Sequence, residues 1–417
     1  MVVIIGNGGV FNLTSEVLIM TPSAVAMAAD SVVTVNRNKT YDGVNKLFML
    51  SNNPPMGIMT YNNANFLNFP METIIKDFRF KISTNDFDNI IDFKDAFNDY
   101  LNSLSKKDEI KSFSIMDKFN KFVDQLNDEL SNFSMFINQF MDETINIDNK
   151  KYEQLLFEND DFKNIYYSKI SELANDIECD EDIDLEVLLK RVFIKRWVLD
   201  DFIGIVIAGF NRENLFPAYM HFKIIVLDEV KFIFDDFEED CVSGETAVIL
   251  KPFAQTNVIF NFLNGIDVST NYHIAAYFNK IINDYSNNLE ELIKANKQIN
   301  GKDEQEILSG LDVLKKNNEQ IVLDFVRFID NLKDKNSEPI LKSIRSLPKD
   351  ELANLSESLI NITSLKVKVQ DNLETVGGDV DVAIITKGDG FVWTKRKHYF
   401  ENSLNPQFFN RKDLLNR

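Results

Sequence analysis

The apolar positions of this chain change period several times, and those changes divide it into segments. Residues 16–35, EVLIMTPSAVAMAADSVVTV, are dense in β-branched and small side chains around a Thr-Pro-Ser turn, the pattern of two short strands. KLFML at 46–50 predicts a third strand, a turn spans Asn52 to Pro55, and GIMTY at 57–61 predicts a fourth. The period then becomes helical. Phe66, Met71, Ile74, Ile75 and Phe78 suit one helix from Phe66 to about Phe80, with Pro70 in its early part. Between 81 and 200 the chain is rich in Asn, Asp, Lys and Phe, has no proline, and keeps helical spacing. IMDKFNKFVDQLNDEL, for example, sets Phe119, Phe122 and Leu126 on one face, the reading being amphipathic helices with acidic faces in water.

Strand patterns return with FIGIVIAGF at 202–210, HFKIIV at 221–226 and VKFIF at 230–234, a meander joined by short turns. TAVILKPFAQTNVIFNFLNG (246–265) starts as a strand and continues as a helix. From about 280 to 336, residues Ile307, Leu311, Leu314, Val322, Phe325, Ile329 and Leu332 predict a hairpin of long helices. The helix KDELANLSESLINIT then precedes VGGDVDVAIIT, the turn KGDG and FVWTKRKHYF, which together read as a closing hairpin. Strands, helices, strands, then a helix and strands again describe a sheet-rich α+β core interrupted twice. The expected division is core at 1–80, helical insertion at 81–200, core strands and a helix at 201–279, helical hairpin at 280–344, and a closing core helix and hairpin at 345–417.

Charge narrows the partners. With 45 basic and 65 acidic residues the net charge is −20, and a polyanion would be repelled, which argues against nucleic acid. No apolar run reaches the roughly 18 to 20 residues that span a bilayer, and no basic region precedes the first apolar stretch as in a signal peptide. Cys179 and Cys241 form neither a disulfide framework nor a metal-spaced pair. These features lead to the expectation of a cytoplasmic protein that meets no membrane.

Candidate chemistry is sparse. GNGG at 6–9 follows a strand-like VVII, but Phe11 stands where a dinucleotide fingerprint needs its third glycine and no Gly-Lys-Ser/Thr follows, so it reads as a turn. His221, His273 and His398 make no HExxH pair or acid-spaced cluster, so neither a histidine-ligated metal nor a Ser-His-Asp hydrolase is supported. Cys241 has no candidate base and reads as a strand-end thiol. One spacing stands out. Thr14 opens the first strand, Asp30 follows 16 residues later and ends the strand AVAMAAD, and Lys46 follows 16 after that and opens the strand KLFML. Adjacent strands would bring the three together.

In TSEVLIMTPSAVAMAADSVVT and VNKLFMLSNNPPMGIMT the chain resembles the proteasome β-type family of N-terminal-nucleophile hydrolases: a leading Thr, a strand ending in A-x-D-S sixteen residues on, and a strand-opening Lys after sixteen more. GIVIAGF resembles the family's mid-chain strand, and LANLSESLINIT with VGGDVDVAIITKGDGFVW resembles its last long helix and glycine-marked hairpin. The resemblance covers roughly 14–80, 200–265 and 345–400. It implies a four-layer αββα sandwich with two helical insertions, Thr14 as nucleophile, Lys46 as electrostatic activator and Asp30 as its anchor. A threonine hydroxyl needs a base, and an N-terminal α-amine with a pKa near 8 supplies one. Tyr61 and Asn62 are implied as oxyanion-hole residues, from backbone N–H groups near Thr60 to Asn63, and Glu374, Gly377 and Gly378 as supporting positions. The resemblance further implies a peptide or protein substrate, a homo-oligomeric ring and an unfoldase partner, with no cofactor and no metal.

The chain departs from the family pattern at several points. Thr14 is internal, so its amine is free only after loss of residues 1–13, which read as a propeptide or as residues ahead of a true start at Leu13. Leu13 stands where self-cleaving members have Gly. Asn62 falls near the family's oxyanion glycine, Val376 and Leu373 replace a serine and an acid, and PFAQ at 252–255 occupies the place of another serine. An alternative expectation is therefore a catalytically silent, proteasome-like structural subunit.

Overall fold

Apolar residues that alternate along a strand can bury both faces only when layers cover both sides. In the computed structural model, which describes residues 14–35, 39–67, 69–106, 115–129, 149–157, 160–175, 184–228, 231–244, 246–296, 301–370 and 377–407, FIGIVIAGF does this. Ile203, Ile205 and Ile207 enter one core, while Val206, Ala208 and Phe210 enter another.

The strands are β1 (Ser15–Met20), β2 (Val25–Ala29), the short pair β3 (Val33–Val35) and β4 (Lys39–Tyr41), β5 (Leu47–Asn52), β6 (Pro55–Asn62), the short pair β7 (Asn65–Phe66) and β8 (Phe69–Pro70), β9 (Phe202–Phe210), β10 (Pro217–Asp228), β11 (Lys231–Cys241), β12 (Ile249–Ala254), β13 (Asp381–Thr386) and β14 (Gly390–Lys395). The helices are α1 (Met71–Lys81), α2 (Ile90–Ser105), α3 (Ile115–Glu129), α4 (Asn149–Leu156), α5 (Asp160–Asn175), α6 (Leu185–Phe193), α7 (Asn257–Asn264), α8 (Val268–Ala295), α9 (Gly301–Ile344) and α10 (Lys349–Gln370).

The chain divides into two compact units, Met1–Ala254 with Pro348–Arg417, and Gln255–Leu347. The first unit holds two five-stranded sheets, ordered β12-β1-β2-β13-β14 and β11-β10-β9-β6-β5, with antiparallel pairing throughout both. Leu18, Met20, Val25, Met27, Ala383 and Ile385 of the first sheet share one core with Leu47, Met59, Val206 and Ala208 of the second. Gly57 marks how closely they approach, since a Cβ there would lie 2.6 Å from Met27 Sδ and 2.9 Å from Ile385 Cδ1. Helix α10 packs on β1, β2 and β13. On the second sheet, Phe48, Ile58, Ile203 and Phe222 share a core with Ile75 and Phe78 of α1 and Phe93 and Phe97 of α2. Helices α3 to α6 and the π-helical turn Ile194–Leu199 cluster around Phe119, Phe162, Tyr166 and Phe193, and take in Ile225 and Leu227 of β10.

The second unit is α7 with the long pair α8 and α9. Phe278 stacks on Phe325 with ring centroids 4.1 Å apart, and buried Asn318 donates to Ser286 Oγ at 3.0 Å. Among the described residues no helix is long and apolar enough to cross a membrane.

Several elements differ from the sequence expectation. The helix expected from Phe66 starts only at Met71, because Pro70, with φ −60° and ψ 130°, stands at its N-cap and leaves the preceding residues to pair as β7 and β8. Proline holds the residue before it extended and contributes no N–H, which suits a helix start and not an interior. β10 and β11 extend well past HFKIIV and VKFIF, since cross-strand pairing carries polar residues such as Glu238 and Asp240 into the ladder. Helices α8 and α9 run beyond 280–336 at both ends; Pro339 lies within α9.

Candidate active site

Thr14, Asp30 and Lys46 each stand one residue outside a strand. Thr14 precedes β1, Asp30 follows β2 and Lys46 precedes β5, so the expectation that they open or close strands is off by one residue in each case. The antiparallel register of β1 and β2 pairs Glu16 with Ala29, which brings Thr14 and Asp30 to the same end of the hairpin. The Asp30 N–H donates to Ser15 O at 3.1 Å. Lys46 comes from the second sheet, where its carbonyl accepts the Thr60 N–H at 2.9 Å, and its side chain reaches across to the first.

The resulting cluster is dry. Thr14, Glu16 and Asp30 are fully buried and Lys46 is 4% exposed. Lys46 Nζ donates to Asp30 Oδ1 at 2.5 Å and to Val32 O at 2.7 Å. Asp30 also accepts the Ser15 N–H on Oδ1 and the Gly377 N–H on Oδ2, each at 3.2 Å. An ammonium with two strong acceptors and a carboxylate with three donors hold one another in place. Burial raises the Asp30 carboxyl above its ordinary value, opposed by the Lys46 cation and the N–H donors.

Glu16, which belongs to no motif of the sequence, completes the cluster. Its Oε2 accepts the Thr14 hydroxyl at 3.2 Å, and its Oε1 lies 3.7 Å from Lys46 Nζ with no hydrogen-bond partner. Burial pushes this carboxyl up to about 8, with the Lys46 cation opposing and the Asp30 anion adding to the rise. Two buried carboxylates and one ammonium favour a single ion pair. The pair is Lys46 with Asp30, which leaves the proton to Glu16. The available signal was a lone carboxylate two residues after Thr14 in the apolar run SEVLIM, hence on the same face of the strand.

The other expected positions fall around this cluster. Gly377 supplies the N–H to Asp30 and accepts the Ser31 N–H at 3.3 Å. Gly378 has φ +72°, and a Cβ there would collide with Asp42 Oδ1 and Ser31 Oγ, which hydrogen-bond to each other. Asn62 adopts φ +67°, and its side-chain amide donates to Asp200 O and Phe202 O. The Thr60 and Asn63 N–H groups are used inside the fold, donating to Lys46 O and Phe202 O. Tyr61 is buried in the core between the sheets, its hydroxyl 2.6 Å from His221 Nε2. Burial, with Lys223 nearby, lowers His221 to about 4 and keeps it neutral at pH 7. Leu13, Leu373, Glu374 and Val376 lie outside the described residues. Among the described residues no group of three or more His, Cys, Asp or Glu is arranged to hold a metal, and Cys241 is exposed.

No family model matches the chain, and neither does any curated protein. Solved structures similar to it include Anbu (ancestral beta-subunit) from Yersinia bercovieri, at 9% identity and TM-score 0.30, with 96% of each chain covered. An Anbu mutant from Hyphomicrobium sp. strain MC1 is similar at 8% identity and TM-score 0.34, covering 97% of this chain and 95% of that one. The helical assembly of the Anbu complex from Pseudomonas aeruginosa gives 8% identity and TM-score 0.32, covering 97% and 96%. At these TM-scores the overlap carries no weight in reading the site.

Proposed function

We propose that this chain is a proteasome-like threonine hydrolase, a peptidase that cleaves amide bonds through an acyl-enzyme on Thr14 after residues 1–13 are removed. The observation that carries the reading is the buried constellation in which Lys46, anchored by Asp30 at 2.5 Å, and the Thr14 hydroxyl converge on one carboxylate. A cation beside the carboxylate that holds the hydroxyl favours the alkoxide form, and its fixed position avoids reorganisation during reaction. Thr14 Oγ attacks the carbonyl carbon of the scissile bond, the amine leaves with a proton, and water hydrolyses the ester. The backbone N–H of the left-handed Asn62 is the proposed oxyanion donor, taking the role the family gives to glycine, whereas the Tyr61 N–H faces β9 by strand parity with Asn63 and its hydroxyl is held at His221. Gly377 supports Asp30 through its N–H. We further read the stacking of α10, the two sheets, and α1 with α2 as the four-layer αββα sandwich of this class.

The test is covalent labelling. Protein whose N-terminus has been read by mass spectrometry is treated with a β-lactone and assayed for peptide hydrolysis, beside a Thr14→Ala variant. The unmutated protein is expected to be acylated at Thr14 and to hydrolyse peptides, and the variant to do neither. Protein that begins at Thr14 and stays unlabelled would refute the hydrolase and leave a structural subunit as the better reading.

A further inference from the structure

A carboxylate in the core between two sheets needs a reason. Glu16 shares its strand face with Leu18 and Met20, which belong to that core, and its cross-strand neighbours are Ala29 on β2 and Phe253 on β12. Neither can hydrogen-bond it through a side chain. The titratable groups around it are Lys46 ahead of β5, Asp30 after β2, and Tyr61 of β6, which feels its charge. From α10, the nearest basic group to the cluster's glycine loop is Lys368, whose side chain lies beside Gly377. One oxygen of Glu16 accepts the Thr14 hydroxyl, and the other is buried without a hydrogen-bond partner, 3.7 Å from Lys46 Nζ. An unpartnered buried oxygen costs stability, whereas Ala or Val would fill such a strand position with none. The carboxylate hydrogen-bonds one functional atom, the hydroxyl read above as the nucleophile.

We propose that Glu16 is the side-chain base of this site, taking the Thr14 hydroxyl proton as Oγ bonds to the substrate carbonyl, so that the proton transfer does not depend on a free amine at residue 14. This rests on the reading of Thr14 as nucleophile. In acylation the Oγ–H bond breaks and its proton passes to a Glu16 oxygen, while the Oγ–C bond forms and the carbonyl oxygen becomes the oxyanion. Collapse expels the amine, which takes the proton from Glu16. In deacylation Glu16 takes a proton from water as its oxygen attacks the ester, then returns the proton to Thr14 Oγ, restoring both groups. A separation of 3.2 Å is within range for such a transfer, and a carboxyl pushed up to about 8 is matched to work near neutral pH far better than an ordinary glutamate. Lys46, at 3.7 Å from the other oxygen, stabilises the ionised base.

An α-amine would also titrate near 8, so a pH profile of the unmutated protein alone does not separate the two bases. The experiment measures the rate of Thr14 acylation by a β-lactone in the full chain from pH 6 to 9.5, by intact mass, for the unmutated protein, Glu16→Gln and Glu16→Asp. The expected result is a rate rising with an apparent pKa near 8 in the unmutated protein, a loss of about a hundredfold with a flat profile in Glu16→Gln, and partial recovery with a rising limb in Glu16→Asp. Glutamine is isosteric and uncharged, and its fold is checked by circular dichroism on the same samples. Acylation in Glu16→Gln at the unmutated rate and with the same rising limb overturns the Glu16 assignment while leaving Thr14 as nucleophile. Absence of acylation in the unmutated full chain overturns the Glu16 assignment, which needs no free amine at residue 14, and absence of acylation also in protein that begins at Thr14 overturns Thr14 as nucleophile.

Discussion

Glu16→Gln should make the protein more stable, and increasingly so as pH rises. In the folded state burial holds the Glu16 carboxyl up at about 8, against 4.5 for the free group. A group whose folded value lies above its unfolded value contributes stability that is fully present below the unfolded value and is lost as pH rises through the folded one. The window therefore runs from about pH 4.5 to 8. At about 1.4 kcal/mol per pH unit, the whole shift corresponds to on the order of 5 kcal/mol, of which roughly 3 kcal/mol falls between pH 5.5 and 9. Glutamine keeps the shape and does not titrate, so subtracting its stability from that of the unmutated protein removes the titration of all other groups to first order. The assay is urea unfolding of both proteins at pH 5.5, 7 and 9, followed by tryptophan fluorescence and circular dichroism. The unmutated protein is expected to lose roughly 3 kcal/mol relative to Glu16→Gln across that range. A difference constant to within about 0.5 kcal/mol would mean that Glu16 titrates as it does in water, and the buried, proton-holding carboxylate described above would be wrong.

Asp30→Asn removes the ionised partner of a buried ammonium that retains Val32 O and a carboxylate at 3.7 Å; a loss of about 3–5 kcal/mol is expected in thermal or urea unfolding, and a change below 1 kcal/mol would contradict the buried ion pair. Gly378→Ala forces a Cβ into a left-handed position against Ser31 and Asp42, at a cost of about 1–3 kcal/mol. An unchanged melting temperature would show that the loop bends elsewhere. Thr14→Ala, alone among these variants, should abolish β-lactone acylation of residue 14 while leaving the unfolding midpoint within about 1 kcal/mol of the unmutated protein, because its hydroxyl makes one hydrogen bond.

Much of the fold was legible because it depends on local period. FIGIVIAGF coincides with β9 end to end, EVLIM and AVAMAAD fall within one residue at each end of β1 and β2, and the closing helix and hairpin appear as α10, β13 and β14. Errors arose where local pattern and tertiary context disagree. Phe66 fits a helical face by spacing, yet it pairs in β7 because Pro70 marks the helix start and its side chain is needed in the core under Phe232. Polar residues in β10 and β11 carry no strand pattern, and pairing with a neighbouring strand holds them extended. The site was half legible. The spacing from Thr14 to Asp30 reflects the β1–β2 hairpin, which returns the two to the same end, whereas Lys46 reaches Asp30 from the second sheet and not from an adjacent strand.

The sequence by itself determined the alternation that makes the sheets, the helical periods between them and the acidic net charge. These follow from short-range sterics and from the need to bury one face of each element, which every stretch of chain carries within it. Only the tertiary structure decided the chemistry of the cluster. Gly377 reaches Asp30 across 347 positions of sequence, Lys46 crosses from one sheet to the other, and Glu16 becomes a proton-holding group because β12, β2 and β6 exclude water from it. A carboxyl's proton affinity is set by the dielectric and the charges around it, and in this chain those come from residues far apart in sequence.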